Sequence, residues 1–202
     1  MQPDWEEQYR SGETCWDKGE ASPALIAWLR EHPGALTGQV LVPGCGTGHD
    51  VRAIATAEPN TLPIGLDVAP TAIATCRQQP TVGGERYVEG DLFDLPAELQ
   101  ATCDWVWEHT CFCAIDPARR DDYVTAVANA LKPGGQLLGI FYLDPYRNDH
   151  QPGSGPPHGC TLQELRQRFT AGGLFAVEFA HPPADCYQER AGRELLVRLT
   201  RD

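Results

Sequence analysis

Basic side chains are scarce in this chain. Sixteen Lys and Arg stand against 28 Asp and Glu, for a formal net charge of −12. Phosphate contacts need clustered cations, so a nucleic-acid-binding surface is not expected. The nearest approaches to a basic patch are Arg119-Arg120 and the pair Arg190 and Arg193. Long apolar runs are missing too, and with them any membrane-spanning segment. The eight cysteines include no C-x-x-C pair and no paired-histidine spacing, so no metal centre is expected. No secretory leader is expected, and a reduced, cytoplasmic protein is the simplest reading of the cysteines. No repeat, low-complexity block or linker divides the 202 residues, which implies one domain over 1–202.

What the chain does have is a glycine-rich turn between a strand and a helix. The apolar run Val40-Leu-Val-Pro leads into glycines at alternate positions, Gly44, Gly46 and Gly48, and then into the helix-compatible Asp50-Val-Arg-Ala-Ile-Ala55. Such a turn lets the backbone approach a ligand without Cβ interference, and the helix start presents its N–H groups to it. Asp67 ends the next apolar run, where folds of this kind place a carboxylate against ribose hydroxyls. Asp91 ends a third run and is followed by Leu92, a combination suited to an adenine amine and ring face. Dinucleotide enzymes typically read G-x-G-x-x-G. The G-x-G-x-G spacing here resembles the first motif of class I S-adenosylmethionine methyltransferases. The plainer alternative, a glycine-rich turn with carboxylates at strand ends by chance, has to explain three features in sequence.

Strand and helix patterns alternate along the chain. Strands are predicted near 39–43, 63–66, 86–90, 104–108, 136–142, 174–180 and 194–200. Helices are predicted from Ser22-Pro23, from Gly48, from Pro70, from Pro117 to the stop at Lys132-Pro-Gly-Gly135, and over 161–171. A loop rich in Pro, Gly and Asp covers 144–159. Repeated β-α units imply a three-layer α/β/α Rossmann-like class I methyltransferase fold. Its sheet should be a mostly parallel seven-stranded one with an antiparallel edge strand, because no helix separates the last two strands. Gly44, Asp67, Asp91, Glu108 and Tyr142 all end predicted strands and should share one rim, where ligands bind in such sheets.

Four stretches together resemble the thiopurine methyltransferase family, and within it the branch of thiol and halide-ion methyltransferases. They are Trp5-Glu-Glu-Gln-Tyr9 with Cys15-Trp-Asp-Lys-Gly19, the glycine loop Leu41–Asp50, Glu108-His-Thr-Cys-Phe-Cys-Ala-Ile-Asp-Pro117, and Gly155-Pro-Pro157. The resemblance implies S-adenosylmethionine as cofactor and S-adenosylhomocysteine as product. It implies cofactor contacts from Trp5, Tyr9, Trp16, Gly44, Gly46, Asp67, Asp91, Leu92, Glu108 and His109, with residues 1–20 as a lid. Tyr9 stands where relatives often have Trp, His109 where they have Tyr or Arg, and His158 where an aromatic is usual. The last two departures fall on the acceptor side.

The expected reaction is in-line methyl transfer to a small soft nucleophile: a thiol, hydrosulfide, thiocyanate or halide ion. An aromatic thiopurine-type thiol, a non-catalytic binding protein and a nicotinamide oxidoreductase are the alternatives. His109 is a candidate base for a neutral thiol, with a pocket hydrogen bond as its other role. Arg190 could orient an anionic acceptor or pair with a carboxylate such as Glu189. Cys111 and Cys113 read as pocket lining rather than nucleophiles. A monomer or weak homodimer is expected.

Overall fold

A computed structural model describes residues 3–145 and 155–202. Seven strands form one sheet: β1 (Gly38–Pro43), β2 (Thr61–Asp67), β3 (Arg86–Glu89), β4 (Cys103–His109), β5 (Leu131–Tyr142), β6 (Phe175–His181) and β7 (Glu194–Arg201). Around it lie α1 (Trp5–Ser11), α2 (Pro23–Glu31), α3 (His49–Ala57), α4 (Pro70–Gln78), α5 (Arg120–Ala130) and α6 (Leu162–Thr170). The strand order is β3-β2-β1-β4-β5-β7-β6. β1 pairs in parallel with both β2 and β4, so the winding reverses between β1 and β4 and a crevice opens above their carboxyl ends. β7 runs antiparallel to β5 and to β6, giving the antiparallel pair at one edge. The reversed strand is β7, one position in, with β6 outermost.

Local chemistry explains most boundaries. Pro23 and Pro70 open α2 and α4, where a missing N–H costs nothing. Thr161 caps α6 by accepting from the N–H of Glu164. Two boundaries differ from the sequence reading. Pro117–Arg119 forms a tight turn of its own, capped by Asp116, before α5 begins at Arg120. Lys132-Pro-Gly-Gly135 is carried inside β5, where the register with β4 slips between Cys103 and Trp105. A bulge there absorbs residues that look like a helix stop. Much of the predicted 144–159 loop lies outside the described residues.

The sheet is covered on both faces. Tyr123, Val127 and Phe169 from α5 and α6 pack with Leu41, Val106 and Phe141 on one side. Leu25, Trp28, Val51 and Ile54 from α2 and α3 pack with Val40, Trp105 and Trp107 on the other. Strand alternation in β4 therefore sends Trp105, Trp107 and His109 toward α2 and α3, and Val106 and Glu108 toward α5 and α6.

Candidate active site

The glycine loop follows β1 with Gly44, Gly46 and Gly48 at φ +59°, +54° and +83°, all left-handed. A Cβ on Gly46 would lie 2.8 Å from the Tyr9 hydroxyl, so both backbone sign and close approach require glycine there. Asp67, at the end of β2, joins this loop to the next helix. Its Oδ2 accepts from Gly46 N–H and its Oδ1 from Ala69 N–H, each at 2.9 Å. Burial pushes the carboxyl of Asp67 above the usual range, against the pull of these backbone donors.

Above the loop is a cavity of about 990 Å³. One half is bounded by Gly44, Leu66, Asp67, Asp91, Leu92 and Phe93. Leu92 is buried beside exposed Asp91, and Arg119 lies over the Phe93 ring at 3.8 Å, closing this end with a planar pair. The sequence shows Arg119 only as half of a basic pair and places neither Phe93 nor Arg119 at the site. Their stacking joins residues 26 positions apart, which no local pattern reports.

Trp5, Tyr9 and Trp16 roof the cavity. α1 ends at Gly12 (φ +76°), so the segment cannot be the single helix that would align residues 5, 9 and 16. The chain turns back instead. Trp16 meets the edges of Trp5 and Tyr9 at ring-centroid distances of 5.4 and 5.8 Å and donates its indole N–H to the Tyr9 hydroxyl at 3.2 Å. Asp17 ties this turn to the glycine loop, accepting from Thr47 Oγ1 at 2.7 Å and lying 3.3 Å from His49 Nε2. Those contacts hold the Asp17 carboxyl below the usual range despite its partial burial.

The opposite half is bounded by Thr110, Cys113, Tyr142, Pro156, Pro157 and Arg190. Arg190 is 7 % exposed. Its partner is Glu194 at 3.2 Å, while Glu189 pairs with Lys18 of the roof at 3.3 Å. The Arg190 guanidinium also lies 5.1 Å from the Tyr142 ring centroid. Only Nη1 of Arg190 has a protein acceptor among the described residues, which leaves further N–H donors at the cavity wall.

His109 and Glu108 reach the rim but do not line the cavity. His109 Nδ1 sits 3.0 Å from Asp50 Oδ2, which also accepts from Trp107 Nε1 at 2.7 Å. Asp50 Oδ1 accepts from Ser22 N–H at 2.7 Å. Burial opposes ionisation of Asp50, but His109 and these donors outweigh it and hold its carboxyl below the usual range. Glu108 is fully buried on the other face, accepting from Phe112 N–H at 2.8 Å and from the Tyr123 hydroxyl. Burial raises Glu108 to about 7. Together with the edge-to-face ring contacts of Phe112 to Tyr123 and Phe141, it anchors the loop that supplies Thr110 to Ile115. Burial also pushes Cys113 up to about 12 and Cys111 well above the ordinary thiol range.

A crevice at the β1/β4 reversal, a glycine loop, an acidic residue ending β2 and a reversed β7 between β5 and β6 together form the class I methyltransferase fold. The fold is shared with a solved structure from work on the conversion of a disulfide bond into a thioacetal group during echinomycin biosynthesis (TM-score 0.74, 24% identity, 93% of this chain and 84% of that one). It is also shared with 1,6-didemethyltoxoflavin-N1-methyltransferase of Burkholderia thailandensis, solved with S-adenosylhomocysteine (TM-score 0.68, 17% identity, 98% and 85%). The model of the thiopurine S-methyltransferase (TPMT) family matches residues 1–198, and the chain belongs to that family of S-adenosylmethionine-dependent methyltransferases. Thiocyanate methyltransferase 1 of Brassica oleracea is 33% identical over 199 residues, 96% of this chain and 83% of the relative. Probable thiol methyltransferase 2 of Arabidopsis thaliana is 33% identical over 168 residues, 81% and 70%. Among the described residues no helix is long and apolar enough to cross a membrane, and no group of three or more His, Cys, Asp or Glu is placed to hold a metal.

Proposed function

We propose that this methyltransferase acts on a small soft nucleophile that reaches the site already ionised or easily ionised: a thiolate, hydrosulfide, thiocyanate or halide ion. One observation carries the reading. Among the described residues no histidine lines the cavity, burial holds the Cys111 and Cys113 thiols protonated, and the acceptor half offers instead a buried arginine with free donors. That wall suits an anion and provides little for drawing a proton from a weakly acidic acceptor. The names of the thiocyanate and thiol methyltransferase relatives point the same way.

The residues present fit S-adenosylmethionine. Asp67, already fixed by two backbone donors, has lone pairs left for ribose hydroxyls. Asp91 would meet the adenine amine, with Leu92 on the ring face. Gly44 and Gly46 let the backbone reach the amino-acid end, and Trp5, Tyr9 and Trp16 present aromatic faces to a sulfonium cation. When bound, the cofactor supplies a methyl group already activated on positive sulfur. The chain's task is then to exclude water with its aromatic roof and to hold the acceptor in line. Arg190 is assigned that orienting role. His109, fixed on Asp50, and Glu108, fixed on Phe112 and Tyr123, are assigned the shaping of the loop between them.

A second reading keeps an aromatic thiol of the thiopurine kind as acceptor, favoured by the volume of the cavity and by Tyr142, Pro156 and Pro157 on its wall. Release of S-adenosylhomocysteine with iodide, thiocyanate, hydrosulfide, alkyl thiols, thiophenol and a thiopurine separates the two. Turnover confined to soft anions and small thiols is expected. Turnover with the thiopurine alone would transfer the assignment to the second reading, and none with any acceptor would leave a binding protein.

A further inference from the structure

α4 begins without a cap of its own. Ala69 precedes it and has no side-chain acceptor for the first-turn N–H groups. The missing acceptor comes from the far end of the chain. Glu6 Oε2 accepts from Thr71 N–H at 2.9 Å, and Glu6 Oε1 accepts from Thr71 Oγ1 at 2.7 Å. A carboxylate at this position also meets the positive end of the helix dipole. The same helix start donates Ala69 N–H to Asp67, so two carboxylates share it, and the charge of Glu6 adds to burial in pushing Asp67 up.

α1 has no buried residue and, among the described residues, no other hydrogen bond to the domain beyond residue 20. Its apolar contacts are the half-buried rings of Trp5 and Tyr9, which meet Trp16 of the same N-terminal segment. Trp5 and Tyr9, four residues apart on one face of α1, reach the cavity only while the helix keeps this orientation.

We propose that Glu6 is a positioning residue for cofactor retention. By capping α4 from α1, it fixes Trp5 and Tyr9 over the bound cofactor, and release of S-adenosylhomocysteine requires this cap to open. The inference rests on the cofactor site proposed above and adds to it a residue outside the cavity lining.

The test measures S-adenosylhomocysteine affinity and release rate in the full chain by titration and stopped-flow tryptophan fluorescence. Glu6→Ala should bind about tenfold more weakly, mainly through faster release, since a pair of charge-assisted hydrogen bonds is lost partly to water. Glu6→Gln should recover part of that loss. Thr71→Val, which keeps the backbone donor, should cost about threefold, and the double variant should be no weaker than Glu6→Ala alone. The cofactor KM should rise while the acceptor KM stays unchanged. S-adenosylhomocysteine should protect Arg10 and Lys18 from trypsin in the native chain but not in Glu6→Ala.

Native binding with equal affinity and release in Glu6→Ala would overturn the latch and spare the cofactor site. Additive losses in the double variant would also overturn it. A native chain that does not bind S-adenosylhomocysteine would overturn the site and the latch together.

Discussion

The two halves of the cavity are built by different means. In the half over β1 and β2, the floor is shaped by backbone (left-handed glycines, N–H groups pointed at Asp67 and a helix start), and side chains close only its far end, at Leu92 and the Phe93–Arg119 pair. In the half over β4 and β5, it comes from side chains that meet only in the folded chain. Arg190 lies against Glu194 and Tyr142, His109 against Asp50, and Glu108 against Tyr123. A backbone-built site tolerates little change in sequence, and it suits a ligand that never varies. A side-chain-built site can be retuned residue by residue, and it suits the ligand that distinguishes one enzyme from its relatives.

Substitutions can break this contrast, and the largest effect is expected in the backbone-built half. Asp67→Ala removes the acceptor that orders both the glycine loop and the start of α4. S-adenosylhomocysteine affinity should fall about 100-fold by calorimetry, the scale of two charge-assisted hydrogen bonds. Unchanged affinity would remove Asp67 from the site. Arg190→Lys keeps the charge but loses the planar fork, and should raise the KM for thiocyanate about tenfold with cofactor affinity unaltered. A parallel loss of cofactor affinity would show that the two halves are not separable.

Smaller effects sharpen the division within the acceptor half. The folded chain binds the Glu108 proton more tightly than the unfolded chain does, because burial lifts this carboxyl from 4.5 to about 7. Its stabilising contribution is complete below about 4.5 and is lost as pH rises through about 7. Melting temperature should therefore drop across that interval, by on the order of ten degrees from this group alone, at about 1.4 kcal/mol per pH unit and roughly 2–4 °C per kcal/mol for a chain of this size. Glu108→Gln should flatten the drop, and an identical slope in the variant would locate the titration elsewhere. Smallest of all, His109→Phe should lower turnover about threefold, equally for neutral thiols and for thiocyanate, as expected of a group shaping the loop from outside the cavity. A loss confined to neutral thiols would restore His109 as a base.

The same contrast explains how much could be read in advance. The G-x-G-x-G spacing and Asp67 are local signals, and the order of β-α units leads from them to the sheet and its rim. β4 ends at Glu108 and His109. Strand alternation then turns their side chains onto opposite faces of β4, each toward a partner that spacing does not reveal: Asp50 is 59 residues from His109, and Tyr123 is 15 from Glu108. The sequence leaves Arg190 two roles, orienting an anionic acceptor or pairing with a carboxylate such as Glu189; the fold pairs it with Glu194 and leaves Glu189 to Lys18. The aromatic roof was legible as a set of residues. Its geometry was not, because Gly12 breaks the helix and a reversed turn, rather than helical periodicity, brings Trp16 back to Tyr9.

Burial of Cys113 has a consequence for the survival of the protein itself. A methyl sulfonium is an alkylating agent, and this cavity would hold one against walls that include three thiols, Cys15, Cys111 and Cys113. Thiols react with such reagents through their anions. With Cys113 raised to about 12 by burial, the anion at neutral pH is on the order of one part in a hundred thousand. The same dry wall that suits a soft anion from outside keeps the sulfurs of Cys111 and Cys113 inert, so that methyl groups leave on the acceptor and do not accumulate there as scars on the catalyst.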